Sequence, residues 1–142
     1  MNDIIEQLRK SKSVLLQTEG EDVLRWSKLR HTKDNLELML QFNLVQLSFK
    51  NVAGVESQII CTSNTKFIKI FSLKKKEDKR KLINFSSPGL TTKDKNSVLT
   101  WDLQENKYKT IILKDWYVVN FISITPENAL VLDEVVHKLL KV

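Results

Sequence analysis

Two histidines and one cysteine are the side chains of this sequence best suited to acid–base, metal or nucleophilic chemistry. His137 follows Asp133 by four residues, and on a helix such a pair can bind a metal ion or transfer a proton. The same spacing is more common in ion pairs on helix surfaces, and we predict a surface pair here. His31 has neither a carboxylate nor a second histidine at metal-ligand spacing. We therefore expect no metal site, no cofactor and no enzymatic activity.

The cysteine and glycine counts exclude two further kinds of site. Cys61 is the single cysteine, so an internal disulfide and a cysteine-based metal cluster cannot form. We predict that Cys61 is a small buried side chain in a reducing compartment. Three glycines in the whole chain are too few for a glycine-rich loop that binds phosphate.

The positive charge of the chain is concentrated in one segment. The formal net charge is +6, and residues 73–95 contain eight basic and three acidic side chains, which is +5 of that total. A basic loop of this kind can bind the phosphates of nucleic acid, act as a nuclear-import signal, or be a solvated loop. All three interpretations stay open. The candidate residues for nucleic-acid or anion binding are Lys66, Lys69, Lys74, Lys75, Lys76, Lys79, Arg80, Lys81, Lys93 and Lys95.

A second group of candidates consists of large apolar side chains that a protein partner could bury. Trp26 and Trp116 are flanked by polar or turn-forming residues, and tryptophan is frequent in the energetic centres of interfaces. Leu8 and Leu15 belong to the apolar stripe of a predicted first helix over residues 3–17, which can pack on its own domain or on another chain. Trp101 shares one side of its predicted strand with Leu99 and Leu103, and we assign it to the core.

Strand, turn and helix signals agree best in the last third of the chain. Residues 97–103 alternate as a half-buried strand, and residues 108–113 follow after a polar turn, which predicts a hairpin. Residues 116–125 are almost all β-branched or aromatic, which is typical of a central strand covered on both faces. Thr125 and Pro126 then supply a helix cap and a first helical residue. A helix with one apolar face is predicted over residues 126–141.

The middle of the chain is less regular. Residues 36–49 alternate as a strand with a shift of apolar parity near Leu44, although helical spacing also fits Leu36, Met39 and Leu40. We favour a strand with a bulge or bend, and a hairpin or a helix stays open. Residues 58–62 and 66–71 flank a three-residue connection centred on Asn64, which predicts a second hairpin. A short strand is expected at 82–85, and Pro88-Gly89 predicts a turn.

These elements predict one globular domain over residues 1–142 in the α+β class and mainly β. Seven or eight short strands within a β-rich core at 36–124 favour a small antiparallel barrel or sandwich, with an N-terminal helix and a C-terminal capping helix. This order resembles that of a pleckstrin-homology-like barrel. The stretch GLTTKD at 89–94, followed by Val98 and Leu99, resembles the turn region of an Sm-like barrel, which is the alternative architecture.

The function expected from these features is non-enzymatic. We expect an intracellular interaction module, cytoplasmic or nuclear, that serves as an adaptor subunit of a larger protein assembly and contacts its partner through terminal helices or an exposed strand edge. The alternative is direct binding of DNA or RNA through the basic loop at 74–81. A third hypothesis, which the resemblance to pleckstrin-homology-like barrels implies, is binding of anionic lipid headgroups at the same loop. The oligomeric state is left open by the sequence.

Overall fold

The computed structural model describes residues 5–7, 32–82 and 91–140. Residues 5–7 are helical, and Ile5 is fully buried against the rest of the domain. The remaining elements, in chain order, are α1 (Lys33–Phe42), β1 (Asn43–Lys50), β2 (Glu56–Thr62), α2 (Thr65–Ser72), α3 (Lys76–Arg80), β3 (Ser97–Asp102), β4 (Lys107–Ile112), β5 (Tyr117–Ser123) and α4 (Ala129–Leu140).

The strands form one antiparallel sheet in the order β4-β3-β2-β1-β5. The fold is therefore α+β and mainly sheet, as predicted, and the β3–β4 hairpin and the last helix are confirmed. Thr125 caps that helix through a reciprocal pair of hydrogen bonds with Asn128: Asn128 N donates to Thr125 Oγ1 at 3.1 Å, and Thr125 N donates to Asn128 Oδ1 at 2.8 Å. The described residues contain five strands rather than the seven or eight expected.

The sheet is open but strongly curled. Its edge strands β4 and β5 are joined by residues 113–116 alone. In a flat five-stranded sheet these residues would have to be fully extended to reach from one edge to the other. Two neighbouring residues of this connection bond to opposite parts of the sheet. Leu113 N donates to Asn96 O, just before β3, at 2.7 Å, and Lys114 O accepts from Lys50 N, at the end of β1, at 3.0 Å. Asp115 takes a positive φ of 48° in the bend. No pairing closes β4 onto β5, so the described sheet is not the closed barrel that the sequence suggested.

Two apolar cores lie on opposite faces of the curled sheet. The inner core lies within the curl, where Leu36, Met39 and Leu40 of α1 pack against residues of all five strands, including Val45 and Cys61. The outer core lies beneath α2 and α4; its buried residues are Ile5, Leu44, Ile60, Phe67, Ile70, Phe71, Leu103, Ile122, Ile124, Ala129, Leu132 and Val136. Helix α1 thus covers one end of the inner face and leaves the other end exposed to solvent.

The favoured strand over residues 36–49 is wrong in its first half. Residues up to Phe42 are helical, because Thr32 caps the helix by accepting from Asn35 N at 3.2 Å and because Leu36, Met39 and Leu40 lie on one buried face. The strand begins at Asn43, so the apolar parity shift coincides with the change from helix to strand. A register shift between β1 and β5 does occur, but after Gln46 rather than at the parity shift near Leu44 from which a bulge or bend was predicted.

The predicted hairpin around Asn64 is also wrong. Residues 65–72 form helix α2, and Asn64 is its N-cap, with Oδ1 accepting from Phe67 N at 2.9 Å. The apolar residues Phe67, Ile68, Ile70 and Phe71 are all buried, although their order reads as well as a strand. The cap favours the helix because it supplies the helix with an acceptor that a three-residue hairpin turn would not use.

Two strand predictions are corrected by burial. Strand β5 lies at the edge of the described sheet and pairs with β1 alone, so it is not central, and only its last three residues are buried. Strand β3 is not half-buried, because the polar residues Thr100 and Asp102 are as enclosed as Val98, while Leu99 and Trp101 are only partly buried. The alternating pattern predicted that the face with Thr100 and Asp102 is exposed to solvent, but the inner core covers that face.

The expected basic loop contains the short helix α3 at Lys76–Arg80. The expected strand at 82–85 lies outside the described residues except for Leu82, which is in a turn, and the Pro88-Gly89 turn lies outside them entirely. Of the predicted first helix over residues 3–17, the structure describes only residues 5–7.

Candidate functional site

A cleft opens at the end of the inner face that α1 leaves uncovered. Its volume is about 570 Å³, which lies in the size range of ligand-binding clefts. Ile59 on β2 and Ile111 on β4, both inner-core residues, line it together with Phe49 on β1. The tip of the β1–β2 hairpin forms its rim, where Val52 is almost fully exposed. The cleft therefore has an apolar floor, in which Ile59 and Ile111 are 7% and 3% exposed, and mainly polar walls.

One wall of the cleft is a fixed network of charges at the β3–β4 turn. Asp102 is 2% exposed, and its Oδ1 accepts from Gln104 N at 2.9 Å and from Glu105 N at 3.1 Å. Lys109 Nζ lies 3.0 Å from Asp102 Oδ2 and 2.5 Å from Glu105 Oε2, while Lys107 Nζ lies 3.5 Å from Glu105 Oε2. The hydrogen bond from Lys109 lowers the pKa of Glu105. The network sets the turn and neutralises both lysines of β4.

The outer edge of β4 lies beside this cleft and has no strand partner in the described sheet. In an antiparallel ladder, successive residues direct their backbone groups alternately toward the neighbouring strand and away from it. Because Leu113 N bonds to Asn96 O, the amides that point away from β3 are those of Tyr108, Thr110 and Ile112. These three side chains are exposed as well, and Ile112 has 52% of its surface accessible.

An aromatic pair fixes one end of that edge. Trp101 and Tyr108 are cross-strand partners, and their rings meet edge to face with centroids 4.6 Å apart and planes at 86°. Trp101 is only partly buried and packs on the margin of the outer core, as the sequence assignment to the core anticipated in part. The hydroxyl-bearing ring of Tyr108 stays half exposed beside it.

The basic candidates of the middle segment fall into two environments. Lys74, Lys75, Lys76, Arg80 and Lys81 are exposed on and around α3. Of the candidates on the preceding helix α2, Lys69 is exposed and Lys66 is half-buried. Lys79 differs from all of these because it is 9% exposed.

Lys79 is engaged with α4 rather than with solvent. Its Nζ lies 2.5 Å from Asp133 Oδ2, and His137 Nε2 lies 3.3 Å from Asp133 Oδ1. The His137 ring stacks on Phe71 with centroids 4.2 Å apart. Burial raises the pKa of Asp133, and the ammonium of Lys79 opposes that rise. Asp133 and His137 are therefore not the surface pair that the sequence suggested, because the carboxylate is 3% exposed and shared with a distant lysine.

Lys93 and Lys95 lie in a different place. Both are exposed in the loop before β3, and that loop is held by α1: Lys33 Nζ donates to Thr92 O at 2.6 Å and to Asp94 O, and Thr92 N donates to Glu37 Oε2 at 3.1 Å. These contacts fix the loop against α1 rather than against the helix that holds the other basic candidates.

The candidate partner anchors are described only in part. Trp116 is half-buried and packs on the inner core, at the bend between β4 and β5. Trp26, Leu8, Leu15 and His31 lie outside the described residues.

Cys61 is fully buried, as predicted, and its thiol donates to Val45 O with 3.6 Å between Sγ and the oxygen. Burial raises the pKa of this thiol to about 12. A thiol in this state keeps its proton at neutral pH and is a poor nucleophile.

Sequence reasoning missed the β4 edge and the Lys79–Asp133 pair. An aspartate at the end of a strand, followed by a polar turn, is a signal that could have identified Asp102 as the residue that organises the hairpin. The ion pair left no such signal, because 54 residues separate its partners in the chain.

Two kinds of feature are absent from the described residues. Residues 5–7, 32–82 and 91–140 contain no group of three or more histidine, cysteine, aspartate or glutamate side chains placed to hold a metal ion. In the same part of the chain, no helix has the length and apolar character needed to cross a membrane.

Comparison with known proteins gives this chain no relative: no family description, no characterised protein and no solved structure matches it.

Proposed function

We propose that this protein is a non-catalytic protein-interaction module that binds an extended segment of a partner along the outer edge of β4. The observation on which the proposal rests is that the outward amides of Tyr108, Thr110 and Ile112 are unpaired within the described sheet, next to a cleft with an apolar floor. The outward carbonyls of Tyr108 and Thr110 are unpaired there as well, whereas that of Ile112 accepts from Lys114 N at 3.0 Å. An added strand would hydrogen-bond to this edge, and every second side chain of that strand would lie over the cleft.

The charges of β4 support this proposal. Lysines on an edge strand commonly prevent another strand from pairing with it. Here the ammonium groups of Lys107 and Lys109 are bound to Glu105, and Lys109 is also bound to Asp102. The exposed apolar side chains Tyr108 and Ile112 stand on the opposite face of the strand, where an incoming strand would cover them. The β4 edge thus contains two lysines, but acidic side chains pair with both of their charges.

Of the two folds considered from the sequence, the architecture favours the Sm-like barrel. A helix before the first strand, five strands in one sheet and a sharp bend between the last two support an Sm-like arrangement over a pleckstrin-homology-like one, with α2 and α3 inserted between β2 and β3. In either arrangement the sheet ends in two edges, β4 and β5, at which a further strand could add.

A proline in β4 tests the proposal. Thr110→Pro removes one outward amide and no bond to β3, so the hairpin should survive, since edge strands tolerate proline where its missing N–H faces solvent. Thr110→Ala removes the same hydroxyl and keeps the amide. We expect proteins cross-linked to the wild type in cells to be recovered with Thr110→Ala and lost with Thr110→Pro, as measured by quantitative mass spectrometry.

Two further measurements make that test decisive. If Thr110→Pro unfolds the hairpin, Thr110→Lys with Ile112→Lys replaces it, because both side chains are exposed and neither belongs to the Trp101–Tyr108 pair, so an added strand would meet the new charges. With a purified partner, binding should slow hydrogen exchange at the amides of Tyr108, Thr110 and Ile112. A partner retained by every edge variant would contradict the proposal. Self-association abolished by the same variants would identify the added strand as one from a second copy of this chain.

A second candidate function is direct nucleic-acid binding through the basic residues around α3. Lys74, Lys75, Lys76, Arg80 and Lys81 are exposed within eight residues of chain, and this density of charge supports phosphate binding. Lys79 is excluded from the set because Asp133 binds it. The test is binding of labelled single- and double-stranded DNA and RNA at 50 and 200 mM salt. Phosphate contacts by five residues predict a loss of affinity of roughly a hundredfold to a thousandfold over that range, whereas no binding at 50 mM would reject this function.

A further inference from the structure

Of the two edges of the sheet, β5 is closed to a further strand by side chains of the chain itself. Because Ile124 N donates into the ladder with β1, the backbone groups of Phe121 and Ser123 point away from it. Asn120 Oδ1 accepts from Phe121 N at 2.9 Å. Asn128 Nδ2 donates to Ser123 O at 2.7 Å. A strand that added to β5 would have to displace both side chains.

A β-bulge protects the same edge. The pairing of β1 with β5 shifts by one residue between Gln46 and Leu47, so Val119 has no partner residue in β1. Bulges twist an edge strand out of line, and natural sheets use them to prevent pairing with another chain. Strand β4 is regular by contrast, since it pairs with β3 in one unbroken register from Lys107 to Ile112. The open edge is therefore β4.

The outward residues of β4 are complementary to those of a second copy. Two identical edge strands that meet antiparallel about a two-fold axis pair residues at equal distances from the axis. With the axis at Thr110, Tyr108 of one copy lies opposite Ile112 of the other, and the two Thr110 side chains face each other. Aromatic–aliphatic and Thr–Thr pairs across strands both stabilise a sheet.

The backbone groups fit the same register. Tyr108, Thr110 and Ile112 all direct their amides outward, so each amide of one copy meets an outward carbonyl of the other. The bonds between the two Thr110 residues, and those from Ile112 N to Tyr108 O, use carbonyls that are unpaired in the described sheet. Ile112 O would be shared with Lys114 N, which already donates to it.

Charge selects this register among its neighbours. Lys109 lies opposite Ile111 of the other copy, and Lys107 lies opposite Leu113, so no lysine faces another lysine. Moving the axis from Thr110 to Lys109 would set the two Lys109 side chains directly opposite each other, where like charges destabilise a sheet. Moving the axis toward the bend after β4 would shorten the paired segment.

We infer that the segment bound at the β4 edge is β4 of a second copy of this chain, paired antiparallel about a two-fold axis at Thr110. This inference rests on the proposed function, because it names the occupant of the same edge. The two sheets become one continuous sheet, and both clefts open on the same face of it. The paired segment is short, so the dimer dissociates on dilution. The closed β5 edge ends the assembly at two copies.

A charge exchange at Thr110 tests the register, because only this residue meets itself across the axis. Thr110→Lys and Thr110→Glu each set like charges opposite each other, whereas a mixture of the two sets opposite charges together. In sedimentation equilibrium, the mass of the wild type should rise from 16.6 kDa toward twice that value between ~1 µM and ~1 mM. At low salt, each variant alone should dimerise about tenfold more weakly, and the equimolar mixture should recover the loss.

Val119→Lys is the matched control, because it adds the same charge to the β5 edge and should leave the dissociation constant unchanged. Weaker association in this control, or a mass above that of a dimer, would mean that β4 pairs with β5 of the next copy and would overturn the two-fold pairing. A mixture that associates no better than either Thr110 variant alone would overturn it as well.

The failure of this inference differs from that of the proposed function. A wild type that stays monomeric at the highest concentration, but loses its cross-linked partners with Thr110→Pro, would overturn the second copy as occupant and retain strand addition by a different protein. Partners that survive every edge variant would contradict the proposed function itself, and the second copy with it.

Discussion

Cys61 shows how burial controls the chemistry of a single residue. The thiol has an ordinary pKa of 9.0, and burial raises it to about 12. Between these values the native protein keeps a proton that the unfolded chain has lost, so stability falls as pH rises above 9. The thiol stabilises the fold fully only below pH 9.

We expect the stability advantage of the wild type over Cys61→Ala to shrink by ~1 kcal/mol between pH 9 and 10, because the unfolded thiol is only half ionised at its pKa of 9.0. Urea denaturation of both proteins at pH 7, 9 and 10 measures the difference, and the alanine variant controls for other groups that titrate there. A thiol that reacts with Ellman's reagent in native protein at pH 8 as fast as in urea would contradict the burial on which this prediction depends.

Lys79 and Asp133 form the second residue-scale feature. Because both side chains are almost enclosed, removing one leaves the other charge without its ion-pair partner in the interior; Asp133 would keep only His137, 3.3 Å from its Oδ1. Lys79→Met should therefore destabilise the protein by roughly 3–5 kcal/mol.

The double variant Lys79→Met with Asp133→Leu should recover most of that loss, because it buries no charge. Guanidinium denaturation of the wild type, both single variants and the double variant gives the coupling between the two sites. Additive losses in the double variant would show that the two charges do not interact.

At the scale of elements, Asn64 favours the helix over a strand at residues 65–72. Its Oδ1 accepts from Phe67 N, and its Nδ2 donates to Gln41 O at 2.9 Å, so one side chain begins α2 and ties it to the end of α1. Asn64→Ala removes both bonds and should cost about 1–2 kcal/mol.

Asn64→Asp is the matched control, because a carboxylate keeps the cap and loses only the bond to Gln41. We expect its urea midpoint to lie between those of the wild type and the alanine variant. An alanine variant as stable as the wild type would show that packing of Phe67, Ile70 and Phe71 alone specifies the helix.

At the scale of the whole molecule, curling of the sheet joins three features that a flat sheet would separate. It brings the ends of β1 and β3 to the same bend, encloses the inner core beneath α1, and opens the cleft at the uncovered end. The same curl leaves β4 and β5 as the described edges. Only the backbone of an edge strand is available for a further strand.

Hydrogen exchange tests this arrangement without a partner. We expect alternating protection along β4, with slow exchange at Lys109, Ile111 and Leu113 and fast exchange at Tyr108, Thr110 and Ile112, measured residue by residue by NMR. The strand β1, paired on both sides, provides the reference for full protection. Uniformly slow exchange along β4 would mean that its outer edge is already covered.

The sequence by itself determined the elements whose signals are local. The β3–β4 hairpin has a polar turn between two alternating runs, and α4 has Thr125 and Pro126 at its start, so both were predicted close to their observed bounds. Burial of Cys61 also followed from the residue type. In each case neighbouring residues contain the information, because turn and cap bonds join residues only a few positions apart.

Only the tertiary structure decided the rest, because the deciding contacts join distant residues. The sequences of α1 and α2 fit a strand as well as a helix. Packing of α1 inside the curl and of α2 beside α4 selects the helix in both cases. The polar residues of β3 looked solvent-facing until the inner core covered Thr100 and the lysine of β4 bound Asp102. In the sequence, Lys79 is one of several lysines in a basic segment. In the structure it is paired with Asp133, 54 residues away. The β4 edge beside its cleft is a product of this packing, which periodicity along the chain does not contain.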